Sequence, residues 1–337
     1  MPPQEENNTM KIIPEFYKSF ACLASDCPDT CCKDWDIVID DNTLDFYRTV
    51  PEIAKRVKTD KDGDKIISFE NGICPFLTQK GLCNIQQKHG AEKLCETCRS
   101  FPRITEDYTL FEEHMLTLAC PEAARLMIIS HDRFSFMENS IAGSCDEYDS
   151  KMMSFLLRSR HLTAEILRGE QCFSERINAA IDFTEYVQQL IDDENFSIEN
   201  LDSYSPTPSD HHSRDHKNVF LLHKKLDVMD KQWLDHISDC ADATLPDSID
   251  EELASLALYY LARYYLTAIS SYDVITTVKR AYCAAVVCAA VISNEKAEND
   301  AARRALIYQK YSKEIEHSDE NLDFFTEAFF DIDIGYF

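Results

Sequence analysis

The sequence predicts a mainly α-helical protein, with an irregular cysteine-rich, metal-binding N-terminal region that has a few short strands, followed by an all-α helical domain. Nine of the 14 cysteines lie in the first 120 residues, where turn signals and short β-prone segments also occur. From about Pro121 onward, apolar residues recur three and four positions apart, as in amphipathic helices. We therefore expect a cysteine-rich metal-binding domain at residues 10–125 and a helical domain at residues 126–337.

Each region has its own predicted elements. Alternating and β-branched residues predict strands at 36–40, 65–69 and 110–118. Helical periodicity predicts helices at 151–168, 174–192, 218–238, 251–270, 272–293 and 300–316. The polar, proline-containing segment 204–215 predicts a loop. The apolar run 282–292 is shorter than the ~20 residues that span a bilayer, so we expect a buried helix there.

Composition excludes several functional classes. The net charge of -26 disfavours nucleic acids and anionic membranes as partners, because phosphate binding requires clustered Lys and Arg. A solvated acidic surface or a basic substrate both agree with this charge. Only 7 glycines occur, and neither GxGxxG nor GxxxxGK[ST] is present, so a dinucleotide fold or P-loop is not expected. Residues 1–10 are polar and acidic, unlike a signal peptide, and predict a cytoplasmic protein.

The early cysteines have the spacing of metal ligands. In a reducing compartment, metal ligation explains 14 cysteines better than disulfides do. One CxxC, an adjacent cysteine pair and an excess of thiols favour an iron–sulfur cluster, whereas structural zinc usually takes two CxxC knuckles. Zinc is the alternative. Later cysteines lie singly or along helical stripes and are predicted to be small buried apolar side chains: Cys145, Cys172, Cys240, Cys283 and Cys288.

Short motifs form an ordered series over roughly residues 12–125. They are Phe20-Ala21-Cys22, Cys27-Pro28-Asp29-Thr30-Cys31-Cys32-x2-Trp35, Cys74-Pro75-Phe76-Leu77, Gly81-Leu82-Cys83-x-Ile85-Gln86, Thr97-Cys98-Arg99-x-Phe101-Pro102-Arg103 and Leu116-Thr117-Leu118-x-Cys120-Pro121-Glu122-Ala123-Ala124-Arg125. Together they resemble the flagellin lysine N-methylase family, whose cysteine-rich part is akin to metal-chelating proteins. The resemblance implies methyl transfer from S-adenosylmethionine to flagellin lysines, with a [4Fe–4S] cluster. This chain looks short for the family.

The resemblance also implies a set of site residues. The cysteines that match the family motifs are Cys22, Cys27, Cys31, Cys32, Cys74, Cys83, Cys98 and Cys120. A cubane needs four ligands, and the sequence leaves open which four these are. Cys95 departs from the pattern and is a weak candidate. We expect Arg99, Arg103 and Arg125 either to bind the carboxylate of S-adenosylmethionine through bidentate hydrogen bonds or to pair with the acidic surface.

Lysine methylation adds a requirement of its own. The amine must be neutral, although free lysine has a pKa of about 10.4, so the site must desolvate the amine or accept its proton. Candidate side chains at the motif edges are Trp35, Asp36, Tyr108 and Glu122, for which packing or surface roles are favoured. The tyrosine stripe at 259–265 is interpreted as helix packing rather than a lysine cage.

Two further motifs bear on metal binding. The CxxxCxxC motif of radical S-adenosylmethionine enzymes is absent, because residue 34, three positions after Cys31, is Asp. His211, His212 and His216 form HHxxxH in the polar segment, which we interpret as a solvated loop.

The alternative function is a non-catalytic iron–sulfur or zinc-binding module with a helical partner-binding domain.

Overall fold

The computed structural model describes residues 10–130, 134, 136–137, 145–205 and 216–331, and it is mainly helical, as predicted. The strands are β1 Met10–Ile12, β2 Ile37–Val38, β3 Val57–Thr59, β4 Lys65–Ile67, β5 Arg103–Asp107 and β6 Phe111–Leu116. The helices are α1 Glu15–Ser19, α2 Asp41–Thr49, α3 Pro51–Ala54, α4 Asn84–His89, α5 Glu96–Ser100, α6 Pro121–Ser130, α7 Ser150–Leu167, α8 Phe173–Asp192, α9 Ile198–Asp202, α10 Lys217–His223, α11 Lys231–Asp239, α12 Asp250–Tyr264, α13 Ala268–Ser271, α14 Ile275–Asn294, α15 Ala301–Ile315 and α16 Asp319–Asp331. Short 3₁₀ turns occur at Ala24–Asp26, Ala91–Lys93, Asp247–Ile249 and Tyr265–Thr267.

The strands form two small sheets before residue 120. In the first, β6 lies between β1, which runs parallel to it, and β5, which runs antiparallel. In the second, β4 pairs antiparallel with both β2 and β3. The predicted strands at 36–40, 65–69 and 110–118 are confirmed, because each contains one of β2, β4 and β6.

Two hydrophobic clusters hold the chain together. The smaller one packs around the second sheet and α2 and includes Ile37, Tyr47 and Cys95. The larger one is formed by the long helices together with Phe16, Phe20, Phe111 and Cys120 from the N-terminal region. The division of the chain into domains at residue 125 stays a prediction.

The most apolar helix is α14, Ile275–Asn294. Its length and composition would allow it to cross a membrane, but 83% of its apolar window is buried inside the fold. It packs against α12, α8 and α15. The prediction of a buried helix at 282–292 is therefore confirmed, and α14 has the burial of a core helix.

The predicted helix at 218–238 is wrong as a single element. The chain forms α10 and α11 with a turn between them. Residues far along the sequence stabilise this turn: the Glu314 carboxylate accepts hydrogen bonds from the backbone N–H groups of Met229 (2.7 Å) and Asp230 (3.1 Å). Asn321 accepts from the Asp227 N–H at 2.8 Å. Segment 206–215, with His211 and His212, lies outside the described residues.

The tyrosine stripe is confirmed as packing. All four rings are buried: Tyr259, Tyr260, Tyr264 and Tyr265. The hydroxyl groups of Tyr259 and Tyr264 each donate to Glu316 at 2.8 Å. These hydroxyls thus tie α12 to the end of α15 instead of lining a cage.

The fully buried His223 makes stability depend on pH. Its Nδ1 donates to the Val219 carbonyl at 2.7 Å, and its Nε2 accepts from the Tyr311 hydroxyl at 2.9 Å. Burial lowers the pKa of His223 to about 4. Between about pH 6.5 and pH 4 the unfolded chain binds a proton that the folded chain does not, so stability falls as pH falls.

We expect this histidine to lower the free energy of unfolding by about 2 kcal/mol between about pH 7 and pH 5. Urea unfolding of the wild type and of His223→Gln at both pH values measures the difference in pH dependence. An identical pH dependence in the two proteins would refute the role of His223.

Candidate metal centre

A cavity of about 310 Å³ lies where the two hydrophobic clusters meet. Seven of the eight predicted ligands line it: Cys22, Cys27, Cys31, Cys32, Cys83, Cys98 and Cys120. Apolar side chains such as Phe20, Leu82 and Leu94 form much of the rest of its lining. Its volume is at the lower end of the ~300–1,000 Å³ typical of ligand sites. The structure therefore brings together cysteines that are nearly 100 residues apart in sequence.

Local hydrogen bonds shape the first cysteine segment. The Cys27 thiol donates to the Asp29 carbonyl at 3.2 Å, and the Cys32 N–H donates to the Thr30 hydroxyl at 3.1 Å. The Trp35 indole N–H donates to the Cys31 carbonyl at 2.6 Å. These short-range bonds hold an irregular loop that has few regular backbone hydrogen bonds.

The second segment is a tight turn from Cys74 to Cys83. The Cys74 N–H donates to the Cys32 carbonyl at 2.9 Å, which joins the two segments. Gly81 has φ +70°, a left-handed backbone conformation that favours glycine, whereas a Cβ there would make only an ordinary contact of 3.4 Å with the Ser25 backbone. Cys83 then caps α4 and faces the cavity, whereas Cys74 is buried beside it and is not part of the lining.

The CxxC pair separates into two roles. Cys95 is fully buried at the start of α5, where its N–H donates to the Tyr47 hydroxyl at 3.1 Å. Cys98, one turn later, lines the cavity, and Cys95 does not. A hydrogen bond between the two thiols lowers the pKa of Cys95 and raises that of Cys98.

Burial raises the pKa of four further cysteine thiols. It raises the pKa of Cys120 to about 11 and that of Cys74 to about 12, and it also raises the pKa of Cys27 and Cys83. These thiols are protonated at neutral pH in the metal-free chain. A bound metal reverses this preference, because coordination deprotonates a thiol.

The donor set fits an iron–sulfur cluster. Such clusters are held by cysteine thiolates, and apolar surroundings like Phe20 and Phe101 limit access of solvent. Among the residues that the structure describes, no group of three or more His, Cys, Asp or Glu side chains is already arranged to hold a metal ion. Which four cysteines would bind the cluster stays a prediction.

The three predicted cofactor arginines lie in different environments. Arg99 and Arg103 line the cavity, and Arg125 does not. Arg99 pairs with Glu96, and Arg125 makes two hydrogen bonds of 2.7 Å to Glu122. The Arg103 guanidinium lies 4.9 Å from the Phe20 ring centroid and makes no ion pair with any residue of the described ranges.

The candidates for contact with an amine also differ. Trp35 and Glu122 line the cavity. The Trp35 ring lies 5.6 Å from that of Phe101, and Glu122 is engaged by Arg125. Tyr108 stacks on Phe111 at 4.9 Å, in agreement with a packing role, and Asp36 is exposed.

Sequence reasoning missed a polar junction beside the cavity. The Asp29 carboxylate accepts from Lys33 (2.7 Å) and Lys313 (3.0 Å), and also from Gln309 at 2.9 Å. Gln309 in turn donates to the Ala119 carbonyl at 3.0 Å. Helix α15 thus contacts two cysteine-bearing segments. The one sequence signal for this junction was the position of Asp29 between Cys27 and Cys31.

Comparison with curated proteins finds flagellar relatives. The chain is 32% identical over 139 residues to the lysine-N-methylases of Salmonella typhimurium and Salmonella choleraesuis, a match of 38% of this chain and 35% of each relative. It is 32% identical over 136 residues to the flagellar biosynthetic protein FliU of Salmonella muenchen, covering 37% of this chain and 80% of FliU. The chain thus spans about a third of the lysine-N-methylases. No family model and no solved structure matches it.

Proposed function

The chain belongs to the flagellin lysine-N-methylase and FliU family, and from this premise we propose that it transfers methyl groups from S-adenosylmethionine to lysine side chains of flagellin. The observation that carries the proposal is a match that covers most of a flagellar biosynthetic protein and part of a lysine-N-methylase. The net charge of -26 agrees with a basic acceptor side chain. We place the reaction in the cytoplasm.

We assign the cysteine cavity to a [4Fe–4S] cluster, with zinc as the alternative metal. The seven lining thiols supply more donors than the four that a cubane needs. If bound there, the cluster would be held by four of these thiols and would join cysteine segments that are far apart in the sequence.

We assign the binding of the methyl donor, S-adenosylmethionine, to arginine side chains at the cavity. Of the three predicted residues, Arg103 has the best placement for the carboxylate of S-adenosylmethionine, because Arg99 and Arg125 already hold Glu96 and Glu122. The neutral lysine amine attacks the sulfonium methyl group, so a C–N bond forms as the C–S bond breaks, and the amine then loses a proton. The protein aligns the two substrates and excludes water from the amine.

The Arg103→Ala variant tests the donor assignment. We expect its KM for S-adenosylmethionine to rise about tenfold, the loss expected for one charge-assisted contact. Arg48→Ala, which removes an exposed pair with Asp45, is the matched control and should behave as wild type. An unchanged KM in Arg103→Ala would remove this residue from the donor site.

Methyl transfer itself is tested with full-length, anaerobically purified protein, purified flagellin and radiolabelled S-adenosylmethionine. We expect methyllysine in flagellin by mass spectrometry. Donor consumption without methyllysine, or no reaction, would support the alternative of a non-catalytic metal-binding module.

A further inference from the structure

Three cavities adjoin one another in a row. Next to the cysteine cavity lies a narrow chamber of about 30 Å³, which shares Thr30, Cys31 and Trp35 with it. The chamber in turn shares Met229 and Lys313 with a groove of about 970 Å³ between the first cysteine loop and helices α11, α14 and α15. The row leads from the surface of the helical part to the candidate metal centre.

The chamber favours a neutral amine. Its walls include the Trp35 and Phe101 rings, 5.6 Å apart, and Met229. Lys33 and Lys313 also line it, and both hold the single carboxylate of Asp29. The Asp29 carboxylate also lines the chamber, but its single negative charge is shared by two ammonium groups, so the lining stays net positive. Apolar walls and this net positive charge both lower the pKa of an amine that enters, and methylation needs the neutral form.

The groove suits a hydrophilic polypeptide. Five basic and five acidic side chains line it, so the groove is formally neutral in a chain of net charge -26. Lys310, for example, is paired with Asp230 at 3.0 Å and with Glu314 at 2.7 Å. The groove is open and polar, whereas cofactor pockets are mostly apolar and bury roughly 70–90% of their ligand.

We propose that the groove binds a lysine-bearing segment of the protein substrate, and that the lysine side chain enters the chamber toward Cys31. This inference rests on the proposed methyl transfer and adds the acceptor's binding site to it. The aliphatic stem of the lysine packs against the Trp35 and Phe101 side chains that form the chamber wall. The chamber now has room for about one water molecule, so the half-exposed Met229 side chain must rotate aside to admit the lysine.

Met229→Arg tests the entrance without changing a cysteine or an arginine of the donor site. We expect at least about a tenfold rise in KM for flagellin, because the bulkier cation obstructs the chamber. Iron content and KM for S-adenosylmethionine should not change. The matched control is Leu221→Arg on α10, another exposed apolar residue, which lines none of the three cavities and should behave as wild type.

Photo-cross-linking gives a readout that does not depend on activity. A benzophenone amino acid at position 232, where the exposed Gln232 lines the groove but not the chamber, should cross-link to flagellin but not to lysine-acetylated flagellin, and the same group at position 221 should cross-link to neither. No product at position 232, or equal products at positions 232 and 221, would overturn the groove assignment. Specific cross-linking without methyllysine would refute only the proposed reaction. Methylation with unchanged Met229→Arg kinetics and no cross-link would refute only the groove.

Discussion

Cys32→Ser, prepared anaerobically, is expected to lose its iron if Cys32 is one of the four ligands, and then to unfold in the N-terminal region while the helical core remains folded. The smaller hydrophobic cluster has only eleven buried residues, and the strands of its sheet are two or three residues long. Metal–thiolate bonds supply on the order of 10 kcal/mol in small metal-dependent domains, as much as the whole stability of many domains. The free energy lost with the iron–sulfur cluster should therefore be larger than the stabilisation that apolar burial in the smaller hydrophobic cluster provides.

Iron analysis and limited proteolysis measure the two effects together. New cleavage should appear between residues 22 and 98, which lie outside the larger hydrophobic cluster, with residues of α12 and α14 protected. Cys31→Ser, Cys98→Ser and Cys120→Ser should lose iron wherever the residue is a ligand. The control is Cys288→Ser, a core cysteine of α14, which should keep its iron. Full iron content in every cavity variant would contradict the assignment.

Glu113→Gln is expected to destabilise the helical core by about 3–5 kcal/mol. Glu113 on β6 accepts two hydrogen bonds from Arg160 on α7, at 2.8 and 2.5 Å, and both side chains are buried. Removal of the carboxylate leaves a buried guanidinium without its counter-charge. That penalty is far larger than the ~0–1 kcal/mol of an exposed ion pair.

Urea unfolding measures this loss, with Asp45→Asn as the control for an exposed pair with Arg48. The double variant Glu113→Gln/Arg160→Met should be more stable than Glu113→Gln alone, because it no longer buries an unpaired charge. A loss below about 1 kcal/mol in Glu113→Gln would show that solvent reaches Arg160.

The helices and strands that were predicted from the sequence are those whose apolar residues recur with a regular period. The helix that became α7 was predicted within one residue, and β4 and β6 fell inside predicted strands, because their burial follows periods of 3.6 and 2. Strands β1, β3 and β5 were missed. β1 and β3 have three residues each, and β1 exists because Met10 pairs with Phe111, a contact with no local signal.

In the candidate site too, the residues in sequence motifs were predicted, and those placed by long-range contacts were not. The family motifs predicted eight cysteines as candidate ligands, and seven of them line one cavity. The break between α10 and α11 was not predictable locally, because Glu314 holds Asp230 from 84 residues away. Asp29 and Lys313 are 284 residues apart, so the groove and the chamber beside the cysteines had no trace in any local pattern.

Iron and acid-labile sulfide analysis of the anaerobically purified wild-type chain tests most directly whether the early cysteines hold an iron–sulfur cluster. We expect about four iron and four sulfide ions per chain, together with a cluster absorbance that disappears on oxidation. Stoichiometric zinc without iron, or a folded chain that contains no metal, would contradict the cluster assignment.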